Sequence, residues 1–340
     1  MLYLSRRELC GGLVAATVLN PIGVSATTSK TIFMVLWRGE TEVEKGFRGH
    51  FEQLDQPVDI IVRSVERDAD KVKEIVEEIK SVGPDLVYSW GTSVTLAIAG
   101  RDPDLSEGPD DYPPQITDIP VLFTMVSQPI KSRIIKEFGP TGRNVTGVSH
   151  LVPLETQFEA MQAYMPVDRI SIIFTPTETN SMIAADRLVE IGQRMNVRVD
   201  QFPVPNTTDG SPDPEALPSL ISEASASGAQ FLYLGPDSFL GQYAQRVTDL
   251  ANALQLPSFA SVERMLSASD ALYGLVARYQ KVGQFTATKA ERILFGNEDP
   301  ANIPVELLPE FSYLIRSDVA RKLNIYPSLA LMDYAETIEP

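Results

Sequence analysis

The chain has 340 residues, longer than one ordinary core sustains and suited to two lobes of about 150 each. Hydrophobic residues make up 44% and charged residues 22%, the balance of a packed protein and not of a disordered one. With 45 acidic against 29 basic side chains the net charge is −16, which repels phosphate backbones and anionic headgroups and argues against nucleic acid or a membrane surface as partner.

Residues 1–26 read as an export signal. Arg6 and Arg7 form a positive start, an apolar stretch runs from Leu9 to Leu19, Pro21 breaks it, and Val24-Ser25-Ala26 offers a small-residue cleavage site. The stretch is far short of the ~20 residues a membrane span needs. Ser5-Arg6-Arg7-Glu8-Leu9 partly fits a twin-arginine signal, Cys10-Gly11 fits it poorly, and Sec export stays open. Cys10 precedes the apolar stretch, where a lipid-modified cysteine would follow it. It is also the only cysteine, so the mature chain is expected to lack disulfides, thiolate catalysis and cysteine metal sites. Removing two arginines and one glutamate leaves 27 basic against 44 acidic side chains, a net charge of −17. The expected location is periplasmic or otherwise extracytoplasmic, without membrane insertion of the mature chain.

From residue 31 short β-branched runs alternate with amphipathic segments. Strands are expected at Thr31 to Trp37, Val58 to Arg63, Asp85 to Ser89 and Val121 to Val126. Helices are expected at Glu42 to Leu54, at Ala69 to Ser81 and after Pro129. A second series follows Val145 to Ser149. Its strands are Arg169 to Phe174, Val197 to Phe202, Gln230 to Leu234 and Pro257 to Ala260, and its helices start near Leu154, Asn180, Pro214 and Phe239. A strand at Tyr273 to Arg278, a helix at Lys281 to Phe295 and a closing strand and helix complete the chain. The pattern predicts an α/β protein of two doubly wound parallel-sheet lobes. Three hinge crossings are expected, near Val148, Ala268 and Leu308. Residues 27–148 with about 268–308 would then form the first lobe, and 149–267 with about 309–340 the second.

Open parallel sheets bind ligands beyond the carboxyl ends of their strands. Trp37 and Trp90, the only tryptophans, fall there and offer flat walls for a ring or an apolar group. Gly91-Thr92-Ser93 opens a helix whose free N–H groups suit an anion, and Ser127-Gln128-Pro129 repeats the arrangement. In the second lobe Thr175-Pro176 leads to Asn180-Ser181, and the loop from Tyr233 to Ser238 carries Asp237. Asp237 would pair with a ligand ammonium or serve as a plain helix cap.

Ile119 to Pro129, Gly142 to Ser149, Thr175-Pro176 with Asn180-Ser181, Pro236-Asp237 and Ile303 to Glu306 together resemble the ABC-transporter substrate-binding family that includes tryptophan- and tyrosine-binding members. The resemblance runs from about residue 31 to 335. It implies a type I periplasmic-binding-protein fold and capture of a small amino-acid-like solute, an aromatic one being the first candidate, for an ABC permease in the inner membrane. It also implies that Thr92, Ser93, Ser127, Ser149, Asn180, Ser181, Asp237 and Ser261 lie at or near the ligand. The family often has aspartate where Gln128 stands, and the acidic loop from Arg101 to Asp118 is longer than the resemblance predicts.

Enzyme chemistry finds little support. His50 and His150 are the only histidines, and there is no nucleophile elbow, no dinucleotide glycine motif and no phosphate loop. Ser149 and His150 are adjacent on a strand and point to opposite faces. No cofactor and no metal are expected. A sensor feeding a membrane receptor and an exported α/β enzyme remain the alternatives to a transport receptor.

Overall fold

The computed structural model describes residues 29–338 apart from Asp55, Pro109 and Asp110; the expected export signal at 1–26, with Cys10, lies outside the described residues. The first series comprises β1 (Lys30–Leu36), α1 (Glu42–Leu54), β2 (Val58–Ser64), α2 (Val72–Val82), β3 (Leu86–Trp90), α3 (Thr92–Ala99), β4 (Val121–Thr124) and β5 (Val145–Ser149). The second comprises α4 (Leu154–Tyr164), β6 (Arg169–Phe174), α5 (Thr179–Arg194), β7 (Arg198–Pro203), α6 (Leu217–Ala226), β8 (Phe231–Leu234), α7 (Ala244–Ala253), β9 (Ser258–Ala260), α8 (Glu263–Ser267) and β10 (Tyr273–Val276). The chain closes with α9 (Tyr279–Leu294), β11 (Glu306–Leu307), β12 (Ser312–Arg316), α10 (Ser317–Leu323), α11 (Leu329–Met332) and β13 (Ala335–Ile338).

Two sheets result. The first has six strands in the order β11-β5-β4-β3-β1-β2, all parallel. The second has seven in the order β13-β12-β10-β9-β8-β6-β7, parallel except where β12 runs against β10. Alternate residues of each strand feed opposite cores. On β1, Ile32, Met34 and Leu36 join the cluster around α1 and α9, while Phe33 and Val35 join the one around α2 and α3. On β8, Phe231 and Tyr233 face one side and Leu232 and Leu234 the other. Strands apolar on both faces need helices on both faces, which is why the sheets are doubly wound.

Thr41 and Glu44 form a reciprocal cap for α1: the Val43 N–H donates to Thr41 Oγ1 at 3.2 Å and the Thr41 N–H to Glu44 Oε2 at 2.7 Å. Glu44 is fully buried and also accepts from the Tyr88 hydroxyl at 2.6 Å, which ties α1 to the sheet. Burial raises the Glu44 carboxyl above its ordinary range.

Two expectations are corrected. No helix follows Pro129 in the described structure: Gln128–Ile134 makes one turn, in which the Ser132 N–H reaches Gln128 O at 2.9 Å. Arg133 then takes a positive φ of 60°, and Ile134 and Ile135 turn into the first-lobe core. The second crossing lies past Val276, not near Ala268, because Tyr273–Val276 pairs with β12 and β9 in the second sheet. An apolar run announces a strand; only its pairing says which sheet receives it. The chain thus passes between lobes after β5, after β10 and after β11, and α9 returns to pack on α1 of the first lobe.

Candidate functional site

The strand ends of the two sheets face each other across a narrow cavity of about 60 Å³. The first lobe lines it with Trp37, Arg38, Trp90, Gly91, Thr92, Ser93, Met125 and Ser127. The second contributes Glu178, Asn180, Pro236, Asp237, Ser238, Val262, Arg264 and Met265, and His150 and Tyr279 line it just past two of the crossings. The cavity has room for only a few waters by itself. It continues outward into a cleft of about 840 Å³ that shares Trp37, Ser93, Glu178 and Ser238 with it and has Tyr112 and Phe239 among its lining residues. The inner space holds the concentrated chemistry and the outer space is its mouth.

On the first-lobe wall the Arg38 guanidinium stands 4.8 Å from the centroid of the Trp90 ring, a cation on an aromatic face. Arg38 is 9% exposed and its Nε has no partner among the described residues. Burial holds its guanidinium below the ordinary value. His150, fully enclosed and close to Arg38, is pushed down to about 3 by burial first and by that positive charge second, so it is a neutral imidazole near pH 7. The Trp90 indole N–H and the Ser127 hydroxyl are also buried without partners. Gly91 takes φ 85° and ψ 165° before α3, a conformation that a side chain at that position would oppose. It brings the chain from Trp90 directly into the first turn of α3, where Thr92 and Ser93 face the cavity.

The second-lobe wall is built on Asp237. Its Oδ2 accepts from the Thr175 N–H at 2.9 Å and the Ser181 hydroxyl at 2.6 Å, and its Oδ1 from the Leu240 N–H at 2.7 Å. Burial raises its carboxyl above the usual range, and these hydrogen bonds oppose the rise. Glu178 accepts from the Ser238 and Phe239 N–H groups, each at 2.8 Å. Its carboxyl is raised to about 7 by burial and by the neighbouring Asp237 charge. Asn180 donates to Pro236 O at 2.5 Å and joins the two loops.

Of the residues singled out from the sequence, Trp37, Trp90, Thr92, Ser93, Ser127, Asn180 and Asp237 line this one cavity. Gln128, Ser149, Ser181 and Ser261 are not in its wall. The Ser149 hydroxyl donates to Val126 O at 2.8 Å, that of Ser261 to Leu234 O at 3.0 Å, and Ser181 stands behind Asp237 as its hydrogen-bond donor. Arg38, His150, Glu178, Arg264 and Tyr279 were not anticipated. Arg38 and Arg264 follow the ends of β1 and β9 within a few residues, so the strand-end rule that found Trp37 could have found them. The acidic loop is held by basic neighbours: Arg101 pairs with Asp111, Arg133 with Glu107 and Asp111, and Lys136 with Asp102 and Asp104. Among the described residues no group of three or more His, Cys, Asp or Glu is placed to hold a metal, and no helix is long and apolar enough to cross a membrane.

The family described as ABC transporter substrate binding protein matches the chain over residues 52–338. The chain belongs to this family. Members bind solute without turning it over, work outside the cytoplasm and serve an ABC transporter. A relative described as tyrosine-binding protein, from Clostridioides difficile (strain R20291), is 24% identical over 269 residues, 79% of this chain and 71% of the relative. The crystal structure of a conserved domain protein from Vibrio cholerae superposes with a TM-score of 0.76 at 17% identity, covering 92% of this chain and all of that one. A Streptococcus pneumonia ABC domain in complex with L-Trp gives 0.74 at 20% identity, covering 91% of this substrate-binding protein and 99% of that chain. At these identities the structural likeness speaks for the fold, a type I binding-protein architecture of two parallel-sheet lobes.

Proposed function

We propose that this protein is an exported receptor that captures a small amino-acid-like solute between its lobes and delivers it to an inner-membrane permease. The observation that carries the reading is a single cavity walled by both lobes, with tryptophans and donors on one side and a carboxylate pair on the other. Burial and then repulsion from Asp237 raise the Glu178 carboxyl, and a solute ammonium placed beside the pair with Asn180 relieves that repulsion. Trp37 and Trp90 supply apolar walls for a ring, and the tyrosine-binding relative and the L-Trp complex make an aromatic amino acid the first candidate. Closure about the three crossings enlarges solute contact with both lobes and shifts the population toward the closed form. The arginine-led start of the chain fits delivery to the periplasm.

The test is titration of the purified protein with amino acids, sugars, nucleosides and vitamins, followed by tryptophan emission and calorimetry. Both tryptophans line the cleft, so emission reports on that place alone. Saturable binding of an aromatic amino acid, lost in Trp90→Ala, is the expected result. Binding confined to sugars or nucleosides would remove the amino-acid reading.

A further inference from the structure

The cavity contains donors that its own acceptors do not satisfy, and the two charged ones come from opposite lobes. Arg38, on the first lobe, forms no ion pair among the described residues, and its Nε is buried and unpartnered. Arg264, on α8 of the second lobe, also lacks an ion pair among the described residues. Its Nε is likewise buried and unpartnered, and its only side-chain bond there is a long one, 3.3 Å, to Gly241 O. Burial lowers Arg38 first, the positive charges of Arg264 and Arg67 add to that, and Tyr279 and Glu44 work the other way, Glu44 being already engaged by Thr41 and the Tyr88 hydroxyl. The Trp90 indole N–H and the Ser127 hydroxyl add two buried, unpartnered groups on the same cavity. The carboxylates nearby do not answer them. Asp237 is engaged by Thr175, Ser181 and Leu240, and Glu178 by the Ser238 and Phe239 amides. Enclosing an ion without a partner is among the costliest arrangements a fold can keep, so a cavity that holds the buried Arg38 and, across from it, the half-buried Arg264 is shaped for an acceptor from outside.

We propose that Arg38 and Arg264 form a clamp for a carboxylate of the solute, one guanidinium from each lobe. The inference rests on the receptor reading for the existence of a solute and adds the charged group that draws the lobes together. A guanidinium fork matches a carboxylate in geometry as well as charge, and the Trp90 ring beneath Arg38 steadies the plane of that fork. With no anion present the like charges oppose closure. With the carboxylate between them the same charges favour it, and this difference between open and closed forms is what a closing ligand must supply. His150, neutral near pH 7, adds no third charge to the cluster.

The experiment uses L-tyrosine, 3-(4-hydroxyphenyl)propionate and tyramine, which share the ring and differ in carboxylate and ammonium. Calorimetry is run on the wild type, Arg38→Gln, Arg264→Gln and Arg38→Lys, with small-angle scattering of the solute-free wild type and double Gln variant at low salt. The wild type is expected to bind the two carboxylates and not tyramine. Each Gln substitution should weaken carboxylate binding about 100-fold, as for removal of one partner from an enclosed charge pair, with partial recovery in Arg38→Lys. The solute-free double variant should be more compact than the wild type. Tyramine binding equal to that of tyrosine, or carboxylate affinity unchanged in both Gln variants, overturns the clamp and leaves the receptor reading standing. If the wild type binds none of the three, the aromatic reading falls and scattering decides the clamp: an unchanged radius of gyration in the double variant overturns it. Should Arg38→Gln fail to fold, the half-buried Arg264 carries the same comparison.

Discussion

Asp237 holds its own lobe together before it meets any solute. It gathers the Thr175 and Leu240 amides and the Ser181 hydroxyl, joining the loop after β6 to the loop after β8. Asp237→Ala strands three buried donors, and we expect a loss of about 2–4 kcal/mol in chemical unfolding, where an ordinary surface change would cost under 0.5. Glu178 gives a pH signature. Its folded carboxyl is raised to about 7, above the ordinary 4.5, so its contribution to stability is full below pH 4.5 and is lost as the pH rises through 7. His150 acts in the opposite sense: its folded value, lowered to about 3, gives stability above pH 6.5 that is lost as the pH falls toward 3. Melting of wild type and Glu178→Gln between pH 5 and 8 separates the two, and the wild type should lose stability relative to the variant as the pH rises. Residue type and strand-end position made Asp237 and Trp90 visible in the sequence. They could not show that Ser181 serves Asp237, because that contact spans 56 residues of chain.

At the scale of elements, the packing of α9 on α1 depends on two glycines. A Cβ on Gly283 would stand 1.9 Å from Val43 O, and one on Gly46 would stand 2.1 Å from Gln280 O. The helices therefore touch backbone to backbone, with Phe47 and Val282 packed in the surrounding core. Gly283→Ala should destabilise the protein by about 1–3 kcal/mol or more, since the helices must separate. Gly49→Ala, in α1 with open space around it, should instead stabilise by about 0.5–1 kcal/mol through helix propensity, and thermal melting of the pair reads both signs. Lys289 fastens the far end of α9: fully buried, it donates to Pro304 O at 2.6 Å and to Glu306 Oε2 at 2.5 Å, holding β11 at the edge of the first sheet. Long strands and helices were legible from their periodicity, whereas the Thr41–Glu44 cap emerged only in the structure. The two-residue β11 is too short to have a period, and the turn after Pro129 failed to become a helix because the core claims Ile134 and Ile135.

For the whole molecule, both sheets point the carboxyl ends of their parallel strands at one cleft, and the chain crosses beside that cleft three times. A wedge of two lobes around a charged cavity can respond as a unit to one small molecule, because each lobe keeps its own cores while only the crossings bend. The sequence by itself determined the two-lobed parallel architecture, since alternating apolar strands and amphipathic helices admit few other topologies. It also placed the strand-end loops that carry most of the cavity wall. Only the tertiary structure decided that Tyr273–Val276 joins the second sheet and that Arg38 and Arg264, more than 200 residues apart, share one space without an ion-pairing carboxylate among the described residues. Local patterning encodes what each segment buries, whereas the meeting of distant charges is set by how the lobes close, a quantity with no period to read.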